Sequence, residues 1–208
     1  MTLSARPSRI AAILLAAGLG RRFGMPKALV DTGSGPWVSR TLDILEDCDP
    51  RLVVIGASAE QVAALVPADV RVVTNPDYQQ GMGSSLCAGL AALAEAPTRT
   101  GTTRATAVSP IDAALVMLVD LPGVGVEVIA HVLAAARAGD VRSTLLRAAY
   151  DGRPGHPVLL GRDHWAAVSL SATGDRGARG YLSGQAVRLV ECADIGSGVD
   201  VDQPGEER

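Results

Sequence analysis

What the chain lacks narrows its function quickly. Aromatic residues make up only 3% of its 208 positions, with a single Phe. That leaves too few platforms for stacking a run of bases and argues against a single-strand nucleic-acid binder. Basic residues do not outnumber acids: 19 Lys and Arg stand against 22 Asp and Glu, a formal net charge of −3, so no footprint for a duplex is visible. The three cysteines, Cys48, Cys87 and Cys192, are far apart and form no C-x-x-C pair. Neither a disulfide framework nor a zinc site is expected, and a reducing compartment fits. No apolar run is long enough to span a membrane, and the one after MTLSARPSR is too short for a signal segment. The expectation is a cytoplasmic protein with no nucleic-acid or membrane partner.

What is present is Ala, Val, Leu and Ile, within a hydrophobic share of 48%. That composition suits buried parallel strands covered by Ala-rich helices, and the length suits one domain over 1–208. Strands are expected at Ile10–Ala16, Leu52–Ile55, Arg71–Thr74 and Ala113–Val119. Helices are expected from Pro36 to about Leu45, over Ala59–Val66, from about Ser84 to Ala96, and over Val126–Arg137. This alternation predicts an α/β, Rossmann-like doubly wound sheet, mostly parallel. The regularity then breaks. Ser143–Ala149 and Pro157–Leu160 flank the turn signal Asp151-Gly152-Arg153-Pro154-Gly155, which predicts a small antiparallel excursion. A short helix near Asp163–Leu170 and a last strand at Val187–Val190 follow. Residues 97–110 read as a flexible surface loop and 203–208 as a disordered tail.

The most telling segment is ILLAAGLGRRFGMPKAL, residues 13–29. A buried strand ends in Gly18, Gly20 and Gly24, beside Arg21, Arg22 and Lys27. Bare backbone N–H groups and fixed positive charge in one loop make a device for holding a polyphosphate. A Walker A loop is excluded, because Lys27 follows Gly24 by three residues across Pro26 and Ala28 lacks the hydroxyl that holds Mg²⁺. A dinucleotide fingerprint fits poorly: the third glycine falls one position late, and the strand ending at Ile55 runs into Gly56-Ala57-Ser58 with no acid for a ribose. An ordinary strand-to-helix turn would not explain three cations beside three glycines. Asp120 closes the strand before Pro122, at the sheet edge where α/β proteins bind ligands. Facing a triphosphate, that carboxylate makes sense through a divalent cation; the alternative is a helix cap. Asp200 and Asp202, two apart in extended chain, share one face and read either as a second carboxylate site or as a solvated acidic tail.

LAAGLGRRFGMPKAL resembles the signature of the MobA-like nucleotidyltransferases, and within them the molybdenum cofactor cytidylyltransferases. Further segments agree in order: Asn75-x-x-Tyr78-x-x-Gly81-x-x-x-Ser85-x-x-x-Gly89, Val119-Asp120-Leu121-Pro122, Gly155-His156-Pro157, Gly174-Asp175-x-Gly177-Ala178-Arg179, and the closing Asp200-Val201-Asp202-Gln203-Pro204. The resemblance implies a fold of the nucleotide-diphospho-sugar transferase type. It also implies transfer of CMP from CTP to a phosphorylated acceptor of the molybdopterin type, with release of pyrophosphate and with Mg²⁺ or Mn²⁺ as cofactor. A molybdoenzyme or its chaperone is a possible protein partner. Lys27 and Arg22 are the implied catalytic residues, with Arg21 a solvated neighbour. Leu15, Ala16, Ala17, Gly18, Arg22, Lys27, Asn75, Gly81, Ser85 and Asp120 are implied for nucleotide binding. Asp120 and Asp202, or Asp200, are implied for the metal. His156, Asp175 and Arg179 are implied on the acceptor side, although His156 also reads as a turn histidine bonded to backbone. Ala16-Ala17-Gly18 stands where GTP-using members tend to show A-G-G. Gly20 replaces the usual Ser, Phe23 the usual Met and Gln203 the usual Thr. The other readings are a different NTP or phosphate acceptor, an NAD(P)-dependent oxidoreductase on the same fold, and a non-catalytic carrier.

Overall fold

The computed structural model describes residues 6–95 and 109–203. The expected loop at 97–110 and tail at 203–208 fall almost wholly outside them. Seven strands form one sheet in the order β3-β2-β1-β4-β6-β5-β7. They are β1 (Ile10–Ala16), β2 (Arg51–Ile55), β3 (Arg71–Thr74), β4 (Ala113–Leu118), β5 (Leu145–Tyr150), β6 (Arg153–Gly161) and β7 (Arg188–Glu191). Only β6 runs against its neighbours; every other pairing is parallel.

The helices are α1 (Trp37–Asp43), α2 (Ala59–Ala63), α3 (Met82–Ala94), α4 (Val126–Arg137), α5 (Trp165–Ser171) and α6 (Arg179–Leu182). Every residue of β1 is buried, and its side chains alternate between two cores. Leu14 joins α1, α2 and α4 through Leu42, Val62 and Leu133. Ile13 joins α3, α5 and α6 through Leu90, Trp165 and Leu182. Covering both faces explains why the central strands read as unbroken apolar runs.

Several elements depart from expectation for local reasons. Helix α2 stops at Ala63, and Leu65 and Val66 form turns, because Pro67 disfavours helical backbone just before it. The expected five-residue turn is a two-residue hairpin at Asp151-Gly152, both at positive φ (51° and 73°), as such connections require. Strand β6 therefore begins at Arg153. The strand order β3-β2-β1-β4 changes direction between β1 and β4, so the connections that leave their carboxyl ends run to opposite sides and leave a crevice at the switch point.

Candidate active site

The crevice is bounded by the loop after β1 and the start of the loop after β4. Backbone bonds tie the strand ends together: Ala57 N to Ala17 O at 3.1 Å, Val119 N to Leu15 O at 3.3 Å, and Asn75 N to Ile55 O at 2.8 Å. The glycine loop curls on itself through Gly24 N to Gly20 O, 2.9 Å. Gly20 has φ +60°, and a Cβ there would lie 1.8 Å from the Met25 carbonyl oxygen. The serine that the resemblance leads one to expect has no room in this loop.

Lys27 opens a short 3₁₀ turn, Lys27–Leu29, and is 14% exposed. Its Nζ donates to Asp202 Oδ1 at 2.7 Å and to Asp120 Oδ2 at 2.9 Å. The exposed Arg22 guanidinium also donates to Asp202. Burial alone would lower the pKa of the Lys27 ammonium, but the hydrogen bonds and charges of Asp202 and Asp120 outweigh it and hold the pKa above the ordinary lysine value. Asp202 is held below the usual carboxylate range, chiefly by its bond from Lys27.

Asp202 arrives on an extended segment that crosses the loop after β4. Ser197 N bonds Gly123 O at 2.9 Å, Val201 N bonds Asp120 O at 3.1 Å, and Val201 is buried. Gly198 packs on Tyr150, where a Cβ would meet the ring at 2.2 Å. The same strap places Asp200 in the wall of the cleft.

Two lobes of the cleft meet over Lys27, Asp120 and Asp202. One, of ≈ 470 Å³, is lined by residues 15–18, Arg21, Arg22, Gly81 and Ser85. It thus gathers every residue implied for nucleotide binding except Asn75, with Arg21 exposed at its rim. Asn75 is buried behind the loop. Its Nδ2 donates to Ser84 and Ser85 at 2.9 and 3.0 Å, and its Oδ1 accepts from Asp77 N at 3.0 Å. Its side chain braces the loop from behind, outside the lining of this lobe. Tyr78 and Gln79 also line this lobe, and the Tyr78 ring covers Gly56 at the tip of β2. The second lobe, of ≈ 560 Å³, is lined by His156, Asp175, Arg179 and Asp200, with Arg147 from β5. Arg147 was missed from sequence; its signal is a lone charge inside the apolar strand LLRAAY.

Among the described residues no group of three or more His, Cys, Asp or Glu could hold a metal. Asp120 and Asp202 nevertheless already share one cation, the Lys27 ammonium. Two carboxylates that leave most positions to phosphate oxygens and water suit Mg²⁺ or Mn²⁺ as it is usually bound beside a triphosphate.

Fold and site together define a doubly wound α/β protein with a cationic glycine loop at the switch point of its sheet. The chain belongs to the family with a MobA-like NTP transferase domain, whose model matches residues 12–190. It is 36% identical over 211 aligned residues to nicotine blue oxidoreductase of Paenarthrobacter nicotinovorans, covering 93% of this chain and 92% of that protein. A probable molybdenum cofactor guanylyltransferase of Bacillus cytotoxicus is 36% identical over 76 residues, 36% of this chain and 37% of that one. Among solved structures, a homologue of Mycobacterium tuberculosis rv0371c from Mycobacterium sp. strain JC1 superposes with a TM-score of 0.74 at 26% identity, covering 94% and 91% of the two chains. The Rv0371C complex with manganese from Mycobacterium tuberculosis superposes with a TM-score of 0.68 at 22% identity, covering 96% of each chain. Among the described residues no helix is long and apolar enough to cross a membrane.

Proposed function

We propose that this protein is a cytidylyltransferase that moves CMP from CTP to a phosphorylated acceptor of the molybdopterin type and releases pyrophosphate. The observation that carries the reading is Lys27 held between Asp120 and Asp202 where the two lobes meet. In-line transfer needs such a junction: triphosphate on one side, acceptor on the other, and charge control between them. An ionised oxygen of the acceptor phosphate attacks the α-phosphorus. A new P–O bond forms as the bond from that phosphorus to the α–β bridging oxygen breaks, and pyrophosphate carries away the electron pair. A phosphate acceptor is already ionised at neutral pH, so no general base is required. The glycine-loop N–H groups and Arg22 hold the leaving pyrophosphate, and Lys27 meets the charge that builds on the α-phosphate.

Asp120 and Asp202 would hold Mg²⁺ or Mn²⁺, which neutralises the triphosphate and steadies the departing pyrophosphate. CTP rather than GTP is read from Ala16-Ala17-Gly18, where GTP-using members of the family tend to show A-G-G. A cytoplasmic site of action fits the free cysteines.

A second reading, an oxidoreductase, is favoured by the full-length likeness to nicotine blue oxidoreductase. Against it, β2 ends without a ribose-binding acid and its tip is covered by Tyr78. Thermal-shift measurements with CTP, GTP, NADH and NADPH, each with and without Mg²⁺, separate the two. Mg²⁺-dependent stabilisation by CTP is expected. Stabilisation by a reduced nicotinamide nucleotide, with none by any NTP, would replace transfer with the oxidoreductase reading.

A further inference from the structure

Among the described residues, Arg147 is a cation with no acid bonded to it. It sits half-buried on β5, in the wall of the second lobe. Its guanidinium makes only long contacts to backbone, Nε to Gly155 O at 3.3 Å and Nη2 to Pro154 O at 3.4 Å. The other charge that acts on it is Arg179, also a cation, and burial and that neighbour both push its pKa down. The side chain of Arg179, at the start of α6, has no hydrogen bond or ion pair among the described residues. Like charges converging on one cavity raise its energy unless an anion enters.

His156 lines the same wall. Its carbonyl accepts from Tyr150 Oη at 2.8 Å, which fixes the backbone at this point of the wall. Burial, then Arg147 and Arg179, push its pKa down to about 4. At neutral pH the ring is therefore uncharged and has one N–H to donate. The other ionisable groups lining this lobe are Arg22, Lys27, Asp120, Asp175, Arg176, Asp200 and Asp202.

We propose that Arg147, His156 and Arg179 form a subsite for a phosphate monoester dianion, with Arg147 as its recessed anchor. Two guanidinium groups match the oxygens of a terminal phosphate, and the neutral imidazole supplies a third donor. The subsite lies across Lys27 from the glycine loop, so its phosphate is the acceptor's and not the nucleotide's. Calling it the acceptor's rests on the transfer reading above; the anion site itself does not.

Inorganic phosphate is the probe. Ring NMR of His156 is recorded against pH with and without phosphate, using His131 and His164 as internal references. Bound phosphate offsets the two guanidinium charges, so the His156 titration should move to higher pH while the others stay. Arg147→Met should weaken phosphate binding about tenfold or more, the scale of one charge-assisted hydrogen bond, and Arg147→Lys should restore part of it. CTP affinity in the presence of Mg²⁺ should be unchanged in both. Arg179→Met, at an exposed position, should show the same pattern and serves if Arg147→Met does not fold. An unmoved His156 titration overturns the proposal. So does an equal loss of phosphate and CTP binding, which would assign the arginines to the triphosphate. If no NTP stabilises the protein, the transfer reading falls, while the phosphate titration still decides this subsite.

Discussion

At the scale of single residues, Lys27 does two jobs that exclude each other. It neutralises Asp120 and Asp202, and it is the cation best placed to reach a phosphate. On the proposed reading, a divalent ion and Lys27 compete for the same two carboxylates. Lys27→Met should lower kcat/KM by about 10²–10³, the usual loss for one group that stabilises transition-state charge. The same variant should bind Mn²⁺ more tightly when no nucleotide is present, as free Mn²⁺ measured by electron paramagnetic resonance would show. Weaker Mn²⁺ binding would mean that the carboxylates need the lysine for positioning. Two members of this triad were legible from sequence, because Lys27 follows a glycine loop and Asp120 closes a buried strand; the third, Asp202, was read there only as an alternative to Asp200. The role of Asn75 was not legible. A buried amide that braces a loop and one that reads a base look alike until its partners are seen.

At the scale of elements, the central strands β1, β2 and β4 were the most legible part, since burial on both faces leaves continuous apolar runs with little ambiguity. The 3₁₀ turns at Lys27–Leu29, Tyr78–Gln80 and Gly174–Arg176 carry no periodicity, and sequence gave no signal for them. The strap from about 195 to 203 lies between these cases. Its carboxylates could be seen, but what docks it could not, because docking depends on Gly198 meeting a ring on β5. Gly198→Ala should cost about 1–3 kcal/mol, as overpacking at a close contact does. It should also lift Asp202 from Lys27, so that CTP stabilises the variant less with Mg²⁺ than it stabilises the parent. Thermal melts with and without CTP and Mg²⁺ check both effects. A normal ligand shift in a less stable variant would confine Gly198 to packing.

For the whole molecule, stability should fall in two stages as pH drops. His156 binds its proton more weakly in the folded state (pKa about 4) than in the unfolded chain (about 6.5). Between those values the unfolded state takes up more protons, so stability rises with pH through that window and is lost on acidification through it. Asp112 and Asp202 have lowered pKa values. For Asp112, burial acts the other way but is outweighed by bonds from Arg6 and the Arg9 backbone N–H; for Asp202 the bond from Lys27 leads. Their contribution is present above the ordinary Asp value and disappears as pH falls through their own. Denaturant unfolding across pH should therefore show an early decline that His156→Gln removes and a later one that it leaves. A single transition confined below the carboxylate range would contradict the His156 assignment.

The two lobes also come from different stretches of the chain. Apart from the central triad and Asp175, one is walled mainly by segments before residue 95, and the other largely by segments after residue 145. Drift or exchange in the later stretch can therefore change what enters the second lobe while the machinery for the triphosphate stays intact. A frame divided in this way lets descendants of one ancestor part company in chemistry long before they part in shape.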